Sequence, residues 1–252
     1  MHTRPFSSVL VAVALATVTA SAGCSHKTEE CKAVIDTIDD DDAVLKGIKL
    51  DTEDFGLLAK NVKAAADALD KVAADLAAKK VTDADLAAAS NDYQNFAKAL
   101  AKAFRSHAEL LEQLDGTMTK IAPMAKTLRA GLKQLHDRCL VDAVVNDCTA
   151  VKNVMKDAPD QDAFKFDKDL KEDAEAFSKF VAELRALNVT ITDKQVKDDV
   201  EQIAKGLGEL ETIMRSLSDL KPKFDASNSE LLAVVAKEAP IERHINQTCS
   251  AK

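Results

Sequence analysis

Residues 61–76 read Asn-Val-Lys-Ala-Ala-Ala-Asp-Ala-Leu-Asp-Lys-Val-Ala-Ala-Asp-Leu. Val62, Ala65, Ala66, Leu69, Val72, Ala73 and Leu76 fall at steps of three and four, with lysine and aspartate between them. That is the period of an α-helix with one apolar face, and a face this wide is buried against other helices. The same period runs through Tyr93, Phe96, Ala97, Leu100, Phe104, Leu110, Leu111 and Leu114. It returns in Phe166, Leu170, Phe177, Val181, Leu184 and Leu187, and again in Val196, Val200, Ile203, Leu207, Leu210, Met214, Leu217 and Leu220. With no tryptophan, one tyrosine and seven glycines in 252 residues, the chain has little from which to build a sheet. The expectation is an all-α fold, an elongated antiparallel helical bundle.

Two turns are written in the same layout, Val81-Thr82-Asp83-Ala84-Asp85-Leu86 and Ile191-Thr192-Asp193-Lys194-Gln195-Val196. In each, the threonine is expected to cap the free amides of a new helix, with Asp85 or Gln195 as the capping-box partner. Val81 with Leu86 and Ile191 with Val196 have the spacing of a hydrophobic staple. Thr82 and Thr192 are 110 residues apart, and so are Cys139 and Cys249. Thr117 and Ser227 share that offset and follow breaks at Asp115-Gly116 and at 222–226, so each is expected to be a second helix cap. The opening cysteines, Cys31 and Cys148, are 117 apart. These offsets predict a duplicated unit: a cysteine, a long helix, a capped turn, a long interrupted helix, a cysteine.

The expected organisation follows from that. Residues 31–139 form one helical hairpin and 148–249 a second, joined by a connector at 140–147 and trailed by a short tail at 250–252. In an antiparallel hairpin the first residue of one arm lies beside the last of the other, which favours the disulfides Cys31–Cys139 and Cys148–Cys249. Pairing Cys139 with Cys148 across the short connector, and Cys31 with Cys249, is also reachable. An unbroken arm of about 45 residues is roughly 65–70 Å long, which sets the turns at 79–83 and 188–193 far from the cysteines.

The N-terminus fixes the compartment. One early arginine, Arg4, precedes an apolar run from 9 to 16 that continues through small residues to Ser21-Ala22-Gly23-Cys24. This resembles the signal peptide and lipobox of the bacterial lipoprotein class, departing from the usual pattern only at Ser21, where leucine is commonest. The resemblance covers residues 1–24. It implies that 1–23 are removed, that Cys24 is acylated and becomes the mature N-terminus, and that 24–30 form a short tether to the membrane. By analogy with enteric sorting, where aspartate after the cysteine retains a lipoprotein in the inner membrane, Ser25 implies the outer membrane and a domain facing the periplasm. An ordinary secretory signal cut near 20–22 would leave five cysteines and one odd thiol, whereas acylation of Cys24 leaves four for two disulfides in an oxidising compartment. A permanent membrane helix over 6–23 is marginal in length and rich in Ser, Thr and Ala.

Without Arg4 the chain carries 33 basic against 42 acidic side chains, a net of −9. That balance disfavours nucleic acid and anionic lipid surfaces as partners. The run Asp39-Asp40-Asp41-Asp42 lacks the alternating ligands, glycine and terminal glutamate of a calcium loop. His136 and His244 stand near Cys139 and Cys249, but no CxxC, HExxH, CxxCH or paired Glu-x-x-His spacing occurs, so neither metal nor cofactor is expected. No nucleophile elbow or triad order can be drawn, and no enzymatic role is expected. Asn188-Val189-Thr190 and Asn246-Gln247-Thr248 match a glycosylation acceptor that has no meaning in a bacterial lipoprotein. The function expected is a membrane-anchored envelope lipoprotein whose helical bundle serves as a structural or protein-interaction module. It would hold the membrane through its acyl chains and an envelope protein through its helices. The alternative is a periplasmic small-molecule or metal binder with a pocket between helices, for which His107, Tyr93, Phe96 and Phe177 are the candidates.

Overall fold

A computed structural model describes residues 26–47, 54–140, 145–159 and 170–250. The signal peptide, Cys24 and Ser25 lie outside them, as do Phe166 and residues 141–144 of the 140–147 connector. The described residues form eight helices and no strand: α1 (His26–Gly47), α2 (Phe55–Ala78), α3 (Ala84–Met118), α4 (Ile121–Arg138), α5 (Val145–Met155), α6 (Leu170–Thr190), α7 (Lys194–Val235) and α8 (Glu238–Ser250). The fold is all-α. No described helix is long and apolar enough to cross a membrane.

The chain divides into two compact units. The first joins the residues up to Glu112 with those from Lys223 onward, and the second is Gln113–Pro222. Neither coincides with an expected hairpin, because α3 and α7 each contribute to both units.

In the first unit, α2 buries Val62, Ala65, Ala66, Leu69, Val72, Ala73 and Leu76, the whole stripe read from 61–76, with Ala59 added at its start. Asp54 starts this helix by accepting a hydrogen bond from the Leu57 amide at 2.8 Å. The core brings Ala66, Leu69, Val72, Ala73 and Leu76 of that stripe together with Val34 and Ile38 of α1, Tyr93, Phe96 and Leu100 of α3, Leu231 and Val234 of α7, and Ile245 of α8. In the second unit the buried side chains include Leu135 of α4, Val151 of α5, Phe177, Phe180 and Leu184 of α6, and Val196, Val200, Ile203 and Met214 of α7. There α4 approaches α7 closely through glycines. A Cβ on Gly131 would meet Ile203 at 3.2 Å, and one on Gly206 would meet Leu128 at 3.4 Å.

Three expectations are corrected. First, the disulfides are Cys31–Cys249 and Cys139–Cys148, not the pairing that closes each hairpin on itself. The reason is the second correction: the first arm is not one long helix. It consists of α1 and α2, separated between Gly47 and Asp54, and α2 ends beside the start of α1. The turn at Thr82 therefore lies next to Cys31 rather than a helix length away, and the same holds for Thr192 and Cys148. Third, Thr117 and Ser227 cap nothing. Thr117 is in the last turn of α3 and donates its hydroxyl to the Gln113 carbonyl at 2.8 Å, while Ser227 lies inside α7. Pro222 does not break α7 either. An interior proline costs roughly 3 kcal/mol, and the buried Leu217, Leu220, Phe224 and Leu231 along the same helix outweigh that cost.

The glycines give a paired expectation. A Cβ on Gly116 would meet nothing within 4 Å, so Gly116→Ala should raise stability by about 0.5–1 kcal/mol through helix propensity. Gly131→Leu should lower it by about 1–3 kcal/mol through overpacking against Ile203. Urea unfolding curves of the two variants check both signs.

Candidate functional site

The chain's most specific polar arrangement occurs twice. Glu30, one residue before Cys31, is buried at 6% exposure and points its carboxylate at the α2–α3 turn. Its Oε1 accepts the Thr82 hydroxyl at 2.6 Å and the Thr82 amide at 3.0 Å, and its Oε2 accepts the Asp83 amide at 3.2 Å. Asp147, one residue before Cys148, does the same to the α6–α7 turn. Its Oδ2 accepts the Thr192 amide at 3.2 Å, the Thr192 hydroxyl at 3.0 Å and the Asp193 amide at 2.9 Å. With the threonines held this way, the next residue caps the helix. Asp83 Oδ1 accepts the Leu86 amide at 2.9 Å, and Asp193 Oδ1 accepts the Gln195 and Val196 amides at 2.9 and 2.8 Å. The expected caps Thr82 and Thr192 are thus one residue early: Asp83 and Asp193 supply the accepting oxygens, while the threonine hydroxyls donate to Glu30 and Asp147. Gln195 supplies a backbone donor to that cap.

These bonds all favour the ionised carboxylates. The Thr82 hydroxyl, followed by the Asp83 and Thr82 amides, holds Glu30 below its ordinary value of 4.5. Asp83 is held below 3.8 first by the Leu86 amide and then by Lys27, whose ammonium lies 3.2 Å away. Asp147 is held below 3.8 first by the Asp193 amide. Groups lowered in this way add stability above their ordinary pKa values and lose it as pH falls through the folded ones.

His107 is another titratable group shaped by its surroundings. Its Nδ1 is 3.1 Å from Ser227 Oγ, and its ring meets Phe224 edge to face at 5.6 Å between centroids. Desolvation lowers its pKa from 6.5. The other residues considered for a ligand pocket are packing side chains. Tyr93 and Phe96 stack edge to face at 5.6 Å within the core of the first unit, and Phe177 is buried in the second. His136 is exposed on α4, and His244 on α8 lies 3.8 Å from Asp92. All four cysteines among the described residues are in disulfides and offer no thiolate. Asn188 is buried at 8% exposure with its amide directed to Glu201, which leaves no room for a glycan. A depression along α8 is lined by Ala239, Glu242, Arg243, Asn246, Gln247 and Ser250, all from that one helix. In the second unit Arg138 bonds the buried Asp199 and also Gln195, joining α4 to α7.

The two gripped turns differ in what surrounds them. Around Asp147 and Thr192 stand Leu140, Val145 and Val189, exposed at 74%, 48% and 78%. At the repeat offsets the first unit has Ser250, Thr28 and Lys79 instead. None of this polar pattern was legible as a site in the sequence, although an acid directly before each opening cysteine was its one visible trace. No protein-family model matches the chain, and neither a curated protein nor a solved structure does.

Glu30→Gln and Asp147→Asn should each lower the melting temperature at neutral pH. Each should also flatten the loss of stability as pH falls below about 4.5, since the neutral amide has no charge left to lose. Thermal melts across an acid pH series check both effects, and an unchanged acid profile in the double variant would remove the carboxylates from the account.

Proposed function

We propose that this chain is an envelope lipoprotein, held to the outer membrane by acyl groups on Cys24, whose helical bundle is a structural or protein-interaction module. The observation that carries the reading is the cysteine pairing. Of five cysteines, four are joined in two disulfides, and the one that remains is the cysteine ending Ser21-Ala22-Gly23-Cys24. Two disulfides suit an oxidising compartment. A single acyl chain binds a membrane only marginally, and two or three give lasting attachment. α1 is described from His26 onward, so only Ser25 lies between the acylated residue and the described part of the first helix. The gripped turn at Glu30 and Thr82 then stands at the membrane end of the first unit, in place of the remote position expected for it.

The interaction role is supported by the exposed Leu140, Val145 and Val189. Single exposed apolar residues are ordinary on a protein surface, but these three flank one disulfide and one turn.

Metabolic palmitate labelling with detergent-phase partitioning tests the anchor. The wild-type chain should label and enter the detergent phase, and Cys24→Ser should do neither. Label that persists in Cys24→Ser overturns the reading. A photoreactive residue at 189 should give one defined cross-linked adduct in intact cells, and the same probe at Lys79 should not. Equal patterns from both positions would count against a role for the apolar end.

A further inference from the structure

His107 occupies a position that packing alone would give to an apolar side chain. It lies on the buried stripe of α3, with Ala103 one turn before it and Leu111 one turn after, exposed at 1% and 3%. The offset that relates Thr82 to Thr192 also relates His107 to Leu217, Ser227 to Thr117 and Phe224 to Leu114. Leu217 is buried at 2% exposure, and Thr117 bonds its own helix at the Gln113 carbonyl. The second unit thus fills with leucine what the first fills with an imidazole bonded to a buried serine.

The charged groups around His107 are engaged elsewhere or face water. On α3 and α2, Arg105 pairs with Asp67 and Asp70 at 2.8 and 2.6 Å, and Glu112 pairs with Lys63 at 2.6 Å. Lys102 and Glu109 on α3 are exposed, as are Lys221, Lys223, Asp225 and Glu230 on α7. The ring's described partners are Ser227 and Phe224, neither of which is an anion.

We propose that His107 is a proton-sensitive latch, holding α7 against α3 in the first unit while neutral and loosening that packing when protonated. Protonation places a full charge in a site that is largely desolvated and that shows no carboxylate partner among the described residues. The unfolded chain takes up this proton near 6.5 and the folded chain only at lower pH. Stability is therefore complete above 6.5 and falls as pH drops below it. The loosening stays local, because Cys31–Cys249 still ties α8 to α1.

The test uses the full mature chain at about pH 7.5 and about pH 5, either side of the ordinary imidazole value and above the range where the carboxylate-gripped turns titrate. After correction for intrinsic rates, amide exchange in 104–111 and 224–235 should speed up at the lower pH, while 114–117 and 210–217 should not change. His107→Leu, which installs the residue found at 217, should abolish the difference and leave exposed His26, His136 and His244 as background. Equal acid responses in wild type and variant would overturn the proposal. Should the variant fail to fold, the ring C–H resonances of wild-type His107 decide it: titration below 6.5 supports the latch, and titration at or above 6.5 refutes it.

Discussion

A carboxylate placed one residue ahead of a cysteine, closing on the amides of a turn about fifty residues further on, is the constraint from which the architecture follows. A helix end leaves amides without partners, and a turn entering a helix leaves two or three more. Glu30 and Asp147 supply acceptors for these groups from another helix, so one small cluster both satisfies the turn and fixes the first turn of α1 or α5 against it. The adjacent cysteine is positioned by the same act. Charge-assisted hydrogen bonds of this kind are stronger than neutral ones, and their repetition at two sites links the two halves of the chain by chemistry rather than by residue identity.

From that start the disulfide topology becomes intelligible. The gripped turn folds the first arm back on itself, so the opening cysteine no longer faces the end of its own hairpin. Each opening cysteine instead bonds the closing cysteine at the other end of the repeat scheme: Cys31 with Cys249, and Cys148 with Cys139. The compact units follow the same exchange, the first combining the start of the chain with its end and the second taking the middle. In the chain-entropy model, separations of 218 and 9 residues correspond to about 5 and about 2.5 kcal/mol if each bond is taken alone.

The helical class was readable because burial leaves a periodic trace. The stripe from Val62 to Leu76 is the set of side chains that α2 buries, and the stripe from Val196 to Leu220 lies within α7. Local rules failed where a distant partner intervened. Thr82 and Thr192 satisfied every short-range criterion for a cap, yet both threonines turn to the distant carboxylates of Glu30 and Asp147, and the next aspartate accepts the helix amides. Pro222 reads as a break in any short window, but a buried face extending past it keeps α7 continuous. Lengths of separate helices within one arm were beyond reach for the same reason. The signals at Gly47 and Asp54 are weak alone, and they gain meaning only once the turn at Thr82 is known to return to Glu30.

The bond between Cys31 and Cys249 makes nearly the whole folded chain a covalent ring. A ring has no free end from which helices can be peeled. Mechanical load entering near residue 26 passes through a few residues of α1 to the sulfur bridge and is shared at once by the last helix. A single peptide cleavage between 32 and 248 opens the ring without releasing a fragment. With the tether proposed at Cys24, such closure turns a string of helices into a loop that stays attached after being cut once.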